Sequence, residues 1–272
     1  MIYLDNNATT ALDPAVLDAM IDCFASGPLN ASSQHAWGRA ARNRLDDAMS
    51  RIAGMLNADV DSPDGDQLIL TSGGSESNNL ALRGIGDPSL PLVVSAVEHP
   101  SVLAVASSMQ SAGREIRVIP VRSSGVIDIH AARSLIETPP RPALVSVMTA
   151  NNETGVIQPT KALAEICHEW QIPFHTDASQ TVGKLPFDFQ ESGAAAISIS
   201  AHKFHGPAGI GGLLVRAGIP LRPLLLGGEQ QLGRRAGTEP LALVVGMAKA
   251  LELAMTDGPA VAERLRELRD SL

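Results

Sequence analysis

The sequence predicts a three-layer α/β/α sandwich on a mainly parallel sheet of about seven strands. Three observations carry this. Seven short runs are rich in Val, Ile and Leu, the stretches between them carry apolar residues at helical spacing, and polar residues gather just after several runs.

The runs are Leu68–Thr71, Leu92–Ser95, Ile116–Ile119, Leu144–Met148, Pro173–Asp177, Ala196–Ser200 and Gly212–Val215. Most lack a polar alternation, which suits strands covered on both faces. Between them, Val102–Ala112, Ile129–Ile136 and Lys161–Trp170 have the amphipathic period of crossover helices. Leu241–Met255 and Val261–Leu272 read as two closing helices with no strand after them. Asp61–Asp66 reads as a surface loop, and no internal repeat is present.

Composition narrows the function. A 44% hydrophobic content over 272 residues supports a sizeable core, so disorder is excluded as the default. A net charge of −8 and only 3% aromatic residues argue against a nucleic-acid binder, which needs basic and stacking side chains. No run approaches the ~20 apolar residues of a membrane span, and the start has no basic and apolar leader pattern. A cytoplasmic protein acting on small molecules is expected, with no membrane partner. Cys23 and Cys167 are too few for a disulfide framework and lack zinc-ligand spacing.

In an open α/β sheet, ligands bind beyond the carboxyl ends of the strands. Three segments fall there. Thr71-Ser72-Gly73-Gly74-Ser75-Glu76-Ser77-Asn78-Asn79 leads from a strand into a helix, and its glycines and free N–H groups suit a phosphate. It also reads as an ordinary turn with a Ser N-cap. Ser198–Pro207 ends a strand in hydroxyls, His202 and Lys203, where Lys203 is either a solvated charge or the amine of a Schiff base. His175-Thr176-Asp177-Ala178-Ser179-Gln180 ends a strand in Asp177, which either caps the next turn or sits against a pyridine nitrogen.

Taken in order, the segments resemble the cysteine desulfurases of the class V aminotransferase group, fold-type I enzymes dependent on pyridoxal phosphate. The resemblance rests on Tyr3–Thr10, Ser32–His35, Thr71–Asn79, Glu98–Val102, Asn151–Gly155, Asp177–Gln180, His202-Lys203 and Arg235–Glu239. It implies that Lys203 carries the cofactor, that Asp177 pairs with its ring nitrogen, and that His99 stacks on the ring and assists proton transfer. Asn152 and Gln180 would bond near the phenolic oxygen. Gly74, Ser75, Ser200 and His202 would hold the phosphate. Thr238 would reach the phosphate of a neighbouring subunit, so a homodimer is implied. The family often has Thr at Ser75, and a Lys at Ala208; the hydroxyl survives the first departure, and the second removes one charge.

The implied reaction converts L-cysteine to L-alanine, with Lys203 or His99 moving the α-proton and a thiolate taking the sulfur. A sulfur-acceptor or iron–sulfur scaffold protein is the implied partner. The family's reactive Cys and substrate-binding Arg belong to a smaller C-terminal domain, which this chain is expected largely to lack. Residues 1–255 are expected as the cofactor-binding domain with its N-terminal arm, and 256–272 as the start of the C-terminal segment. Cys23 and Cys167 lie among apolar neighbours and read as packing residues rather than sulfur carriers. His168 and His205 read as surface or loop residues, with no metal expected. A related lyase or aminotransferase, and a non-catalytic cofactor-binding or dimerisation module, are the alternatives. Uncovered apolar surface is expected to leave the chain marginal or oligomerising.

Overall fold

The computed structural model describes residues 2–271. Its seven strands form one sheet in the order β1-β7-β6-β5-β4-β2-β3. They are β1 (Gln67–Thr71), β2 (Leu92–Ser95), β3 (Ile116–Ile119), β4 (Leu144–Ser146), β5 (Phe174–Asp177), β6 (Ala196–Ser200) and β7 (Gly211–Val215). Strands β3, β2, β4, β5 and β6 pair parallel, whereas β7 runs antiparallel to both β6 and β1. The expected mainly parallel sheet is present, with one reversed strand.

The helices are α1 (Pro14–Ala25), α2 (Ala36–Met55), α3 (Gly74–Gly84), α4 (Pro100–Ser111), α5 (Ile129–Glu137), α6 (Thr160–Glu169), α7 (Phe189–Ser192) and α8 (Leu241–Asp270). Strand alternation sorts the core into two layers. Leu68, Leu70, Val93, Val145, Ile197 and Leu214 face one core with α1, α2, α5, α6 and α8. Ile69, Leu92, Val94, Leu144, Leu213 and Val215 face the other, with α3 and α4.

Local chemistry sets the helix starts. Asp13 Oδ1 accepts from the Ala15 N–H at 2.8 Å with Pro14 in the first turn, and α1 then buries Val16, Met20 and Cys23 at helical spacing. His35 caps α2, which buries Ala41, Leu45, Ala48 and Ile52. Both pack against α8. The expected pair of closing helices is one helix, which continues through Gly258-Pro259 to Asp270. Its first half is fixed by buried Leu241, Val244, Met247, Ala248 and Leu251, and the remainder propagates from that anchored start. Beyond it Val261, Leu265 and Leu268 are exposed, as are Leu17, Ile21 and Phe24 on α1. Among the described residues no helix is long and apolar enough to cross a membrane.

Residues 2–13 form an irregular arm that packs against residues 202–205. The Thr10 N–H donates to the His202 carbonyl at 2.9 Å, and the Asp13 N–H donates to the His205 carbonyl at 3.1 Å. The arm therefore lies across the connection from β6 to β7, beside the carboxyl ends of the parallel strands.

Candidate active site

Beyond those strand ends lies a cleft of about 270 Å³, lined by Ala8, Gly74, Ser75, His99, Ser101, Met148, Ala150, Asn152, Asp177, Ser179, Gln180, Ser200, His202 and Lys203. Nine of the ten positions singled out in the sequence meet here; Thr238 does not, and is exposed on the loop before α8.

The glycine-rich segment forms one wall. Gly73, at φ +146°, turns the chain from β1 into α3 and is the residue that caps the helix, with no side-chain cap bond. The expected Ser N-cap is thus absent, because the chain turns before Ser75, and the N–H groups of the first turn are left for another acceptor. A Cβ on Gly74 would approach Ser179 Oγ to 3.0 Å, so the loop sits close against the β5 turn. Arg235 pairs with Glu76 at 2.8 Å, and the Ser72 N–H donates to the same carboxylate at 2.7 Å. Burial opposes ionisation of Glu76, but those donors hold its pKa below the usual value. This ties the Arg235–Glu239 segment to the loop.

Asp177 ends β5 and is buried. Its Oδ1 accepts from the Ser179 N–H at 2.9 Å and its Oδ2 from Asn78 Nδ2 at 2.7 Å. The turn role is therefore present, and the same side chain also lines the cleft.

Lys203 closes a 3-10 turn, Ala201–Lys203, directly after β6. Its Nζ donates to the carbonyls of Asn7 at 2.6 Å and Ala8 at 2.9 Å. Desolvation lowers its pKa, against the pull of Asp177 and Asp5. His202 Nδ1 lies 3.0 Å from Thr9 Oγ1, and burial followed by the charges of Lys203 and Lys184 lowers its pKa.

His99 caps α4, with Nδ1 accepting from the Ser101 N–H at 3.1 Å. Gln180 Nε2 donates to the Asn7 carbonyl at 2.8 Å, and Asn7 Nδ2 donates to the Asn152 carbonyl at 3.1 Å. One arm residue thus bridges three parts of the cleft.

Sequence reasoning missed Ser101, Ser179, Asn78 and Lys184. The first two lie in the quoted segments around His99 and Asp177, and Asn78 lies in the glycine-rich segment, so spacing to those residues was the available signal. Lys184 had none, being brought in by the turn after β5. Cys23 and Cys167 are both buried, as expected; burial pushes the Cys167 thiol up to about 12 and also raises Cys23, the latter against Arg44. His168 and His205 are exposed.

The sequence matches the family described as Aminotransferase class-V over residues 2–272. The chain belongs to that family. Within it, the chain is 42% identical over its whole length to a cysteine desulfurase of Gluconacetobacter diazotrophicus, covering 67% of that protein. It is 41% identical to the cysteine desulfurase IscS of Dictyoglomus turgidum, over 99% of this chain and 68% of that one. A solved NifS-like protein superposes with a TM-score of 0.92 at 34% identity, over 99% of this chain and 74% of the other. SspA in complex with cysteine superposes at 0.85 and 34% identity, over 93% and 72%. The class V chain is therefore cysteine desulfurase-like, in a group of enzymes dependent on pyridoxal phosphate, and it spans about two thirds of the length of these curated relatives.

The cleft fits that cofactor on its own chemistry. Ser179 Oγ is buried without a partner next to Gly74, at the uncapped start of α3. Hydroxyls, an imidazole and a helix N-terminus make a phosphate cradle at one end, and a carboxylate and an amine face the middle.

Proposed function

We propose that this chain is the cofactor-binding part of a cysteine desulfurase, which releases alanine from L-cysteine and passes the sulfur to a thiol outside these 272 residues. The observation that carries the reading is the convergence of Lys203 and Asp177, from the ends of the adjacent strands β6 and β5, on one cleft with the uncapped start of α3.

Pyridoxal phosphate supplies a carbonyl that exchanges amines and a ring that stores the electron pair left when a substrate loses its α-proton. In this reading Gly74, Ser75, Ser200 and His202 bind the phosphate and Asp177 holds the ring nitrogen. Asn152 and Gln180 orient the phenolic edge. The Asn7 and Ala8 carbonyls hold the Lys203 amine in the cleft, where desolvation lowers its pKa and so favours the neutral form that would bind the cofactor carbonyl. His99 covers the ring. Cys23 and Cys167 do not serve as sulfur acceptors, because both thiols are buried and resist ionisation.

The same reading makes residues 1–255 the cofactor-binding domain and 256–272 the approach to the next one. It makes the enzyme a cytoplasmic homodimer in which Thr238 serves the partner's phosphate; Leu226 and Leu232, each 83% exposed on the same connection between β7 and α8, supply apolar surface for that contact. An iron–sulfur scaffold protein is the final recipient of the sulfur.

The test is an absorption spectrum of the chain with added pyridoxal phosphate, before and after borohydride, for the parent and Lys203→Ala, followed by an assay of alanine from cysteine with an added dithiol. A reducible band lost in the variant, with alanine formed by the parent, supports the reading. The same band in both proteins would remove Lys203 from its role. A band without alanine would leave cofactor binding standing and remove cysteine turnover by these 272 residues alone.

A further inference from the structure

We infer that Asn78 and Ser101 form a directed hydrogen-bond chain from Asp177 to His99, which fixes the neutral His99 ring with its hydrogen on Nε2. The inference rests on the reading of His99 as the residue that covers the cofactor ring, and deepens it. Neither Asn78 nor Ser101 touches Asp177 and His99 by chance of surface exposure: Asn78 is 0% exposed and sits on the second turn of α3, while Ser101 begins α4.

The direction follows from donor and acceptor chemistry. The Asp177 carboxylate accepts, so the Asn78 amide must present Nδ2 to it, at 2.7 Å. The other Nδ2 hydrogen goes to Ser101 Oγ at 2.8 Å. Asn78 Oδ1 is left buried without a partner, which is the cost of facing a carboxylate with the amine edge. Because Ser101 Oγ accepts from Asn78, its own hydrogen is free to point onward, and His99 Nδ1 stands 2.8 Å away. The Ser101 backbone N–H converges on the same nitrogen at 3.1 Å. Two donors aimed at one ring nitrogen leave no room for a hydrogen on it, so the neutral ring carries its hydrogen on Nε2.

The consequence is a division of labour. A ring held this way offers a donor at Nε2 to whatever lies in the cleft, while Nδ1 stays occupied as the acceptor for Ser101. Asn78 and Ser101 are positioning residues: they act on the reaction through His99 and Asp177.

The test uses the full chain labelled with 15N-histidine, with the His99 signals assigned by their loss in His99→Gln. Long-range proton–nitrogen correlation, at a pH where the spectrum itself shows the ring to be neutral, is expected to show Nδ1 bare and Nε2 protonated in the parent, mixed tautomers in Ser101→Ala, and the parent pattern again in Ser101→Thr. With cofactor and cysteine, Ser101→Ala should lower kcat roughly tenfold, the effect of losing one well-placed hydrogen bond, with KM nearly unchanged and Thr restoring it. A hydrogen on Nδ1 in the parent, or a Ser101→Ala spectrum identical to the parent's, overturns the inference. A parent with the expected tautomer whose Lys203 captures no cofactor overturns the functional reading and leaves the tautomer assignment standing.

Discussion

Lys184 Nζ lies 2.6 Å from Gln180 Oε1, and this contact sets which edge of the Gln180 amide faces its surroundings. The ammonium takes the carbonyl edge, so the NH2 edge turns to the Asn7 carbonyl and has a second hydrogen to give. Burial, and then the charge of Lys203, push the pKa of Lys184 down to about 8. Lys184→Met keeps the stem and removes the donor, which frees the amide to flip. Affinity for pyridoxal phosphate, measured by titration of the apo chain, should fall roughly tenfold, as one lost charge-assisted bond predicts. Unchanged affinity would show that the Lys184 contact does not orient Gln180.

Capture of the cofactor should depend on pH through Lys203. Only the neutral amine attacks a carbonyl, so the capture rate rises with pH and levels above the Lys203 pKa, which lies below the ordinary lysine value. Asp177 stabilises the protonated amine and so raises that pKa against desolvation. Asp177→Asn should therefore move the rise to lower pH, read by stopped-flow absorbance of the apo chain. A move to higher pH would contradict the assignment.

Glu98 gives a stability signature. It is buried, with Oε1 accepting from the Met148 N–H at 2.8 Å, and burial pushes its pKa up to about 8, against bonds from Ser95 and Met148 and with a further push from Asp177. Its folded pKa lies above the unfolded value near 4.5, so the folded state holds the extra proton and stability falls as pH rises through that window. His175, buried between Ser146 and Ser198 and pushed down to about 4, has the opposite slope up to its unfolded value near 6.5. The Glu98 effect is thus cleanest from about pH 6.5 to 8. Melting temperature should decline across that range in the parent and stay nearly flat in Glu98→Gln. Equal slopes in the two proteins would remove Glu98 as the source.

At Gly211 the backbones of three elements crowd together. A Cβ there would meet the Ile199 carbonyl oxygen at 2.5 Å and Gly73 Cα at 2.7 Å. Gly211→Ala should cost roughly 1–3 kcal/mol, the usual range for overpacking, and displace the phosphate end of the cleft enough to weaken cofactor capture. Gly54→Ala in α2, where nothing lies within 4 Å, should instead stabilise by roughly 0.5–1 kcal/mol. Chemical denaturation of both variants checks the contrast.

The strands were legible because Val, Ile and Leu cluster in runs as short as the strands themselves, and β2, β3 and β6 keep the expected bounds. Leu144–Met148 outruns β4, which ends at Ser146, although Val147 and Thr149 still donate to the His175 and Asp177 carbonyls at 3.1 and 3.0 Å; Met148 already lines the cleft. The reversal of β7 was not legible, since Gly-Gly-Leu-Leu-Val carries no mark of direction. Nor was the continuity of α8, where Gly258-Pro259 is a local signal to stop that an anchored helix overrides. In the site, Lys203 and Asp177 announced themselves by ending apolar runs. Asn78, Ser101 and Lys184 did not: Asn78 meets Asp177 and Ser101 only through tertiary packing, and the local bonds of Ser101 to His99 and of Lys184 to Gln180 leave no mark in residue type or spacing.

The arm adds an order of events. Lys203 is steadied by carbonyls 195 and 196 residues earlier in the chain, and Thr10 bonds to a carbonyl 192 residues later. During synthesis the arm therefore waits for these partners until β6 has emerged and docked. The Lys203 amine acquires its surroundings only when the sheet is nearly assembled, so a nascent or misfolded chain presents no finished pocket, and under the proposed function cofactor loading would double as a proof that the sheet has closed.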